Sequence, residues 1–224
     1  MSSLYLLRHG QAVFGGDDYD RLSPRGQHQA RATGAFLAAR GMVFDRMLVG
    51  PRQRHEASAD ALLVAMPRLA QRLRRRREPA LDEFAEGHVL LASARQRQEA
   101  RQQLWPDERE AQMRLYVDEI RRWADGEELP DCVPIEAFCT RVTSWLDTLV
   151  RQERSGQRLL AVTSAGTIAV LLGHVLGLPH QRIGDLLLAL DNAALSELVF
   201  SAGRVSLRSF NSTSHLPAEL ASRI

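Results

Sequence analysis

The sequence contains no lysine, and all 29 of its Lys-or-Arg positions are arginine. This absence excludes Schiff-base chemistry on lysine, attachment of pyridoxal phosphate, and a phosphate-binding loop that ends in Gly-Lys-Ser/Thr. Any site for an anion in this chain must use guanidinium groups. These are planar and bind two oxygens of one anion at the same time.

Cysteine is scarce as well, with only Cys132 and Cys139 and no Cys-x-x-Cys spacing. The pair predicts reduced thiols in a cytoplasmic protein and offers neither a disulfide framework nor a zinc site. No stretch is apolar for the ~20 residues that cross a bilayer, and residues 1–4 lack the basic region of a signal peptide. We therefore expect no membrane partner and no leader.

Positive and negative charges nearly balance, and the formal net charge is +2. This balance argues against nucleic acid as a partner. The run Arg74–Arg77 is interpreted as a solvated connection rather than a site for an acidic partner. Asp17, Asp18 and Asp20 predict a polar loop near a pocket mouth. They do not predict a metal site, since no glycine turn or later glutamate completes a calcium loop.

Apolar runs and helical periodicities alternate along the chain. Strands are predicted at residues 3–7, 44–49, 80–83, 158–163, 195–200 and 205–210, and helices at about 24–41, 50–66, 135–152 and 167–176. The highly charged segment of about 85–135 has apolar residues at helical spacing and predicts a helical insertion over the domain. The pattern indicates one α/β domain over residues 1–224, a three-layer sandwich with a mixed, mostly parallel sheet flanked by helices.

Chemistry-bearing residues follow the predicted strands, and ligands bind at the carboxyl ends of strands in open α/β sheets. The first strand is followed by Arg8, His9 and Gly10, the second by a segment with Arg52 and Arg54, the third by Glu83, and the fourth by Ser164, Ala165 and Gly166. Arginines and a helix N-terminus suit a phosphoryl group. A neutral imidazole can attack phosphorus while a carboxylic acid protonates the leaving oxygen.

Four ordered segments resemble the histidine phosphatase superfamily, which includes phosphoglycerate mutases. They are Leu-Arg-His-Gly-Gln at 7–11, Leu-Ser-Pro-Arg-Gly-Gln-His-Gln-Ala at 22–30, Gly-Pro-Arg-Gln-Arg-His-Glu-Ala-Ser-Ala at 50–59, and Leu-Asp-Glu-Phe at 81–84. The resemblance implies that His9 is the nucleophile that becomes phosphohistidine. It also implies that Arg8 and Arg54 hold the phosphate, that Glu83 is the general acid, and that no cofactor or metal is needed.

The sequence departs from the family pattern at two positions. Ser164 stands where the family has a second histidine, in Ser-His-Gly-Gly, and Gly15 stands where many members have an asparagine that contacts phosphate. A lost oxyanion donor costs roughly 10²–10³ in rate, so the variant is expected to be weakened but active. The candidates for phosphate or substrate binding are Gln11, Ser23, Ser164, Ala165 and His215, the last on a C-terminal tail that could fold back over the site.

Four functions compete at this stage. The first is a phosphomonoester hydrolase that acts through His9 on a phosphorylated small molecule. The others are a phosphoglycerate-mutase-type isomerase, a catalytically weak module that binds phosphorylated ligands, and a serine hydrolase built on Ser164, Asp185 or Asp191, and His215. The serine hydrolase leaves Arg8, His9 and Arg54 unexplained. A homodimer is left open.

Overall fold

A computed structural model describes residues 1–13, 20–152 and 154–223 of the chain. Within these ranges, six strands form one sheet. They are β1 (Ser2–Arg8), β2 (Arg46–Val49), β3 (Arg74–Arg77), β4 (Arg158–Thr163), β5 (Leu195–Ser201) and β6 (Arg204–Ser212). Their order across the sheet is β3-β2-β4-β1-β5-β6. The first four strands run parallel, and the β5–β6 hairpin joins β1 antiparallel, which confirms the mixed, mostly parallel sheet.

Helices connect the strands. They are α1 (Pro24–Ala39), α2 (Gln53–Val64), α3 (Pro67–Ala70), α4 (Gly87–Ala100), α5 (Arg109–Ala124), α6 (Ile135–Gln152), α7 (Ala165–Leu176) and α8 (Gln181–Ala189). Ser23 caps α1, because its hydroxyl accepts from the backbone N–H of Gly26, and Pro24 occupies the first turn. In the described part of the chain, no helix is both long enough and apolar enough to cross a bilayer.

The alternation of side chains along the buried strands creates two cores. Leu4 and Leu6 of β1 pack into one core, which contains side chains of α4 to α8. Tyr5 and Leu7 face the other core, which contains side chains of α1, α2 and α3. The sheet therefore lies between two helical layers, and the three-layer sandwich is confirmed.

The predicted insertion is helical and consists of α4 and α5, which pack on each other, with α5 also against α8. Its anchor is Trp123, which is fully buried and stacks on Phe84 with 3.7 Å between ring centroids. The indole N–H donates to the carbonyl of Val133 at 2.8 Å, so this large ring is buried with its polar atom satisfied. The stack ties α5 to the segment that carries Glu83.

The third strand was predicted at the wrong residues. Residues 80–83 do not form a strand, and Pro79–Leu81 is instead a turn of 3₁₀ helix. The strand is the arginine run Arg74–Arg77, which pairs in parallel with β2 and keeps all four side chains exposed. The interpretation of this run as solvated agrees with the structure, but the run is a strand and not a connection. As an edge strand it needs only backbone pairing on one side, and Arg75 forms ion pairs with Glu56 and Asp60 on α2.

Candidate active site

The loop that follows β1 is clamped by backbone hydrogen bonds. The N–H of His9 donates to the carbonyl of Thr163 at the end of β4, and the N–H of Gly10 donates to the hydroxyl of Ser58 on α2. A Cβ on Gly10 would lie 2.2 Å from the carbonyl oxygen of Gly26, so only glycine allows α1 to approach the loop this closely. These contacts fix the imidazole of His9 at the carboxyl edge of the sheet.

The ring of His9 is held in one tautomer. Its Nδ1 lies 2.7 Å from the carbonyl oxygen of Gly10, which can only accept, so Nδ1 carries the hydrogen and Nε2 keeps its lone pair. Burial lowers the pKa of His9 well below its usual value, and the charges of Arg54 and Arg8 lower it further. The imidazole is therefore neutral at pH 7, and its Nε2 carries a lone pair and no hydrogen.

Arg54 lies beside this nitrogen and is only 2% exposed. Its Nη1 donates to the carboxylates of Asp20 at 2.8 Å and Glu86 at 2.7 Å. The other nitrogens turn inward, where Nε donates to Nε2 of His9 and Nη2 donates to Oγ of Ser164, each at 3.3 Å. The two carboxylates thus fix a buried cation whose inner edge faces His9, and a guanidinium in this position can bind a phosphoryl oxygen.

Glu83 is held by the backbone of two elements. Its Oε1 accepts from the N–H of Phe84 and its Oε2 from the N–H of Gly166 in the first turn of α7, each at 3.0 Å. Burial raises the pKa of Glu83, while Arg54 and these two N–H groups oppose the rise. A raised pKa favours the protonated carboxyl that a general acid requires.

The side chain of Arg8 completes the polar side of the cavity. It is buried, and its Nη1 donates to the carbonyl of Leu190 just beyond α8 at 2.5 Å. Arg8, His9, Arg54 and Glu83 line one cavity, whose remaining lining is mostly apolar and comes from Phe84, Ala85, Gly87, Leu90, Tyr116, Ile120, Ala165 and Leu187. The insertion helices therefore supply much of the wall that faces the nucleophile.

A family model named Histidine phosphatase superfamily (branch 1) matches residues 4–213. The chain belongs to this superfamily. No curated protein sequence matches the chain significantly.

Solved structures of the same fold include members with different activities. The phosphoserine phosphatase of Entamoeba histolytica, in a complex with phosphoserine, has a TM-score of 0.66 at 19% identity over 97% of this chain and 100% of that one. A putative α-ribazole-5′-P phosphatase of Escherichia coli has a TM-score of 0.66 at 20% identity over 95% and 98%. The phosphoglycerate mutase of Bacillus anthracis has a TM-score of 0.68 at 18% identity over 96% and 94%. At these identities the likeness establishes the fold.

Among the residues predicted to bind phosphate, Ala165 lines the cavity. Ser164 is fully buried and does not line the cavity itself, but its hydroxyl accepts from Nη2 of Arg54. Gln11 and Ser23 contact each other through the Ser23 hydroxyl and do not line the cavity. Their contacts are structural, since Ser23 caps α1 and the N–H of Gln11 donates to the side chain of Gln29.

His215 lies away from the cavity. Its Nε2 is 3.0 Å from the hydroxyl of Thr33, and its ring stacks on Phe36 with 5.1 Å between centroids. The C-terminal tail does fold back, but it packs on α1, where the side chain of Gln29 donates to the carbonyl of Leu220. The location of His215 therefore gives no support to a role in phosphate binding. It also leaves the serine hydrolase triad unassembled.

The sequence pointed to the neighbourhood of three further polar residues but not to their contacts. Glu86 and Asp20 hold Arg54, and His55 contacts Ser164 through Nε2 at 2.6 Å. The position of His55 directly after Arg54 was a signal for it, but only the tertiary structure brings its ring beside α7. Gly15, Asp17 and Asp18 lie outside the described residues. In the ranges that are described, no three His, Cys, Asp or Glu side chains are grouped to hold a metal ion.

Proposed function

We propose that this chain is a phosphomonoester hydrolase that acts through a phosphohistidine intermediate at His9. The observation that carries the proposal is the neutral ring of His9, whose unprotonated Nε2 accepts from Nε of Arg54 in a cavity that Glu83 also lines. A nucleophile, an anion-binding cation and an acid with a raised pKa are the groups that phosphoryl transfer from an ester requires.

In the first step, the lone pair on Nε2 of His9 forms a bond to phosphorus as the bond from phosphorus to the ester oxygen breaks. The protonated carboxyl of Glu83 gives its proton to that leaving oxygen, so a neutral alcohol departs. Arg8 and Arg54 neutralise the charge on the other phosphoryl oxygens, and these fixed donors supply most of the catalysis.

In the second step, water attacks phosphorus and the bond from phosphorus to Nε2 breaks. The carboxylate of Glu83, now deprotonated, accepts a proton from that water and returns to its acid form. Inorganic phosphate leaves, and His9 regains its free lone pair. The hydrogen bond from Nδ1 to the Gly10 carbonyl keeps the ring in the attacking orientation during both steps.

The cavity lining favours hydrolysis over mutase chemistry. A phosphoglycerate carries a carboxylate beside its phosphate, and a mutase must hold both groups. Among the described residues that line the cavity, Arg8 and Arg54 are the only arginines, and both are assigned to the phosphate. Residues 14–19 contain no arginine either, and Arg52 is paired with Asp82 and Glu86.

The test compares the wild type with His9→Ala on p-nitrophenyl phosphate and on 3-phosphoglycerate, each substrate without added metal. The proposal predicts release of inorganic phosphate by the wild type, a loss of at least 10³-fold in His9→Ala, and an acid-labile phosphohistidine after rapid quenching. Conversion of 3-phosphoglycerate to its 2-isomer would identify a mutase instead. Phosphate binding with equal, negligible turnover in both proteins would leave only a binding module.

We also infer a cytoplasmic location. Cys132 and Cys139 are both free thiols, and burial raises the pKa of each to about 11, so that both stay protonated at neutral pH. Such thiols suit a reducing compartment and react slowly with oxidants. Fractionation of cells that express the tagged protein tests the location.

A further inference from the structure

The hydroxyl of Ser164 occupies a capping position but does not cap. Ser164 is the N-cap residue of α7, where serine normally accepts from a backbone N–H in the first turn. No such bond is made, and the N–H of Gly166 donates to Glu83 instead. The hydroxyl points to other partners, namely Nε2 of His55 at 2.6 Å and Nη2 of Arg54 at 3.3 Å.

His55 is fully buried in the first turn of α2, with its ring centroid 5.6 Å from that of His9. Burial lowers the pKa of His55 well below its usual value, and the charges of Arg54 and Arg52 lower it further, so the ring is neutral and carries one hydrogen. Within the described residues, Nδ1 has no hydrogen-bond partner of ordinary geometry. It lies against the backbone of Gly50, and a weak hydrogen bond there raises the pKa of His55 by less than burial and the two arginines lower it.

We assign the single hydrogen of the ring to Nε2, because Oγ of Ser164 lies 2.6 Å from this nitrogen, whereas the contact of Nδ1 with Gly50 lacks ordinary hydrogen-bond geometry. Nε2 of His55 then donates to Oγ of Ser164, and Nη2 of Arg54 donates to the same oxygen. Both lone pairs of the hydroxyl are occupied in this arrangement. Its own hydrogen remains for a third partner, and two donors on the oxygen make that hydrogen a stronger donor.

We propose that His55 is a positioning residue that acts through Ser164: its Nε2–H holds the hydroxyl so that the hydroxyl hydrogen is donated to a phosphoryl oxygen bound between His9 and Arg54. The inference rests on the proposed function in that the bound group is a phosphoryl group. In this arrangement the imidazole of a residue on α2 orients the side chain of Ser164. The arrangement also explains why a histidine with a costly buried environment lies beside the nucleophile.

The main experiment is a double-mutant cycle between His55→Phe and Ser164→Ala, measured with p-nitrophenyl phosphate and with the affinity for inorganic phosphate. Phenylalanine fills a similar volume but cannot donate. Each single variant is expected to lower kcat by about 10- to 100-fold, in line with the loss of one oxyanion donor. The double variant should be no slower than the slower single variant, because His55 acts only through the hydroxyl.

His55→Gln is the conservative control, since its side-chain amide can donate from nearly the same place as Nε2. It should keep kcat within about fivefold of the wild type, whereas a role in packing alone would favour phenylalanine over glutamine. Less than a threefold loss of kcat in His55→Phe would overturn the proposal. Independent effects that multiply in the double variant would overturn it as well.

A measurement on the wild-type protein tests the proposal without relying on the folding of any variant. The ¹⁵N chemical shifts of the His55 ring, recorded with and without inorganic phosphate, should show the hydrogen on Nε2 in both states. A hydrogen on Nδ1 in the phosphate complex would refute the arrangement. The ring shifts and the phosphate affinity do not depend on turnover. A chain without phosphatase activity would thus refute the proposed function and still leave the role of His55 to be decided by these two readouts.

Discussion

Substitution of Gly166 by alanine should displace Glu83, the proposed general acid, without disturbing the fold. A Cβ at this position would lie 2.2 Å from Oε1 of Glu83 and 3.1 Å from Cδ1 of Phe84. Contacts of a Cβ under 3.0 Å essentially never occur, so the carboxyl must retreat by about 0.8 Å. The retreat also strains the hydrogen bond between Oε2 and the Gly166 N–H, which orients the acid.

The size of the effect follows from what the acid contributes. A misplacement of about 1 Å in a catalytic group can cost roughly 100-fold in rate, which equals about 2.7 kcal/mol of barrier. We expect kcat/KM of Gly166→Ala on an alkyl phosphate to fall by about that factor. The loss on p-nitrophenyl phosphate should be several-fold smaller, because p-nitrophenolate leaves readily without a proton. Glu83→Gln should show the same dependence on the leaving group.

Gly173→Ala, in the same helix, is the matched control. A Cβ there would approach Cδ1 of Ile183 at 2.3 Å, which is the flexible end of a side chain remote from the acid. It should shift the melting temperature and leave the ratio of alkyl to aryl rates unchanged. Alanine is intrinsically better than glycine in a helix interior by about 0.8–1.0 kcal/mol, which offsets part of the cost of the displaced carboxyl, and the melting temperature of Gly166→Ala separates a loss of rate from unfolding. A wild-type ratio of alkyl to aryl rates in Gly166→Ala would refute the placement of the acid.

Two further predictions concern stability. Ser58→Ala should lower the free energy of unfolding by about 1–3 kcal/mol in urea titrations, since the buried hydroxyl accepts from Gly10 and donates to the carbonyl of Arg54; a change under 0.5 kcal/mol would contradict this. The pKa values of His9 and His55 are lowered in the folded state, so their stabilising contribution is complete above about pH 6.5 and is lost as pH falls. Each histidine should contribute up to about 1.4 kcal/mol per pH unit to the slope of the free energy of unfolding between pH 6.5 and 5.5. The substitution His55→Gln should reduce the measured slope by that amount. An unchanged slope would show that His55 is not buried as a neutral ring.

Long amphipathic and continuously apolar segments were predictable from the sequence because their periodicity reflects burial directly. The helix at residues 135–152 and the strand at 158–163 were predicted at the residues where α6 and β4 occur. The arginine run of β3 has no such pattern, since all of its side chains are exposed. Its strand conformation depends on backbone pairing with β2, which is a tertiary interaction and overrides the local signal.

The residues that carry the proposed chemistry were likewise visible, since each follows a predicted strand or opens a helix at one edge of the sheet. The hydrogen-bond partners of these residues were not visible in the sequence. Glu86 and Asp20 lie 32 and 34 positions from Arg54 in the chain, and His55 lies 109 positions from Ser164. Hydrogen bonds over such separations depend on how α2, α7 and the insertion pack, and no local pattern records that packing.

The sequence by itself determined the layered α/β architecture, the reliance on arginine for binding anions, and the choice of His9 as the proposed nucleophile, because these depend on residue type and on short-range order. The tertiary structure alone decided which nitrogen of His9 lacks a hydrogen, what holds Arg54, and why the pKa of Glu83 is raised. It also decided that His215 packs on α1 while His55 contacts Ser164. Tautomer, burial and the partners of a charge are properties of the folded surroundings of a side chain, and only folding creates those surroundings.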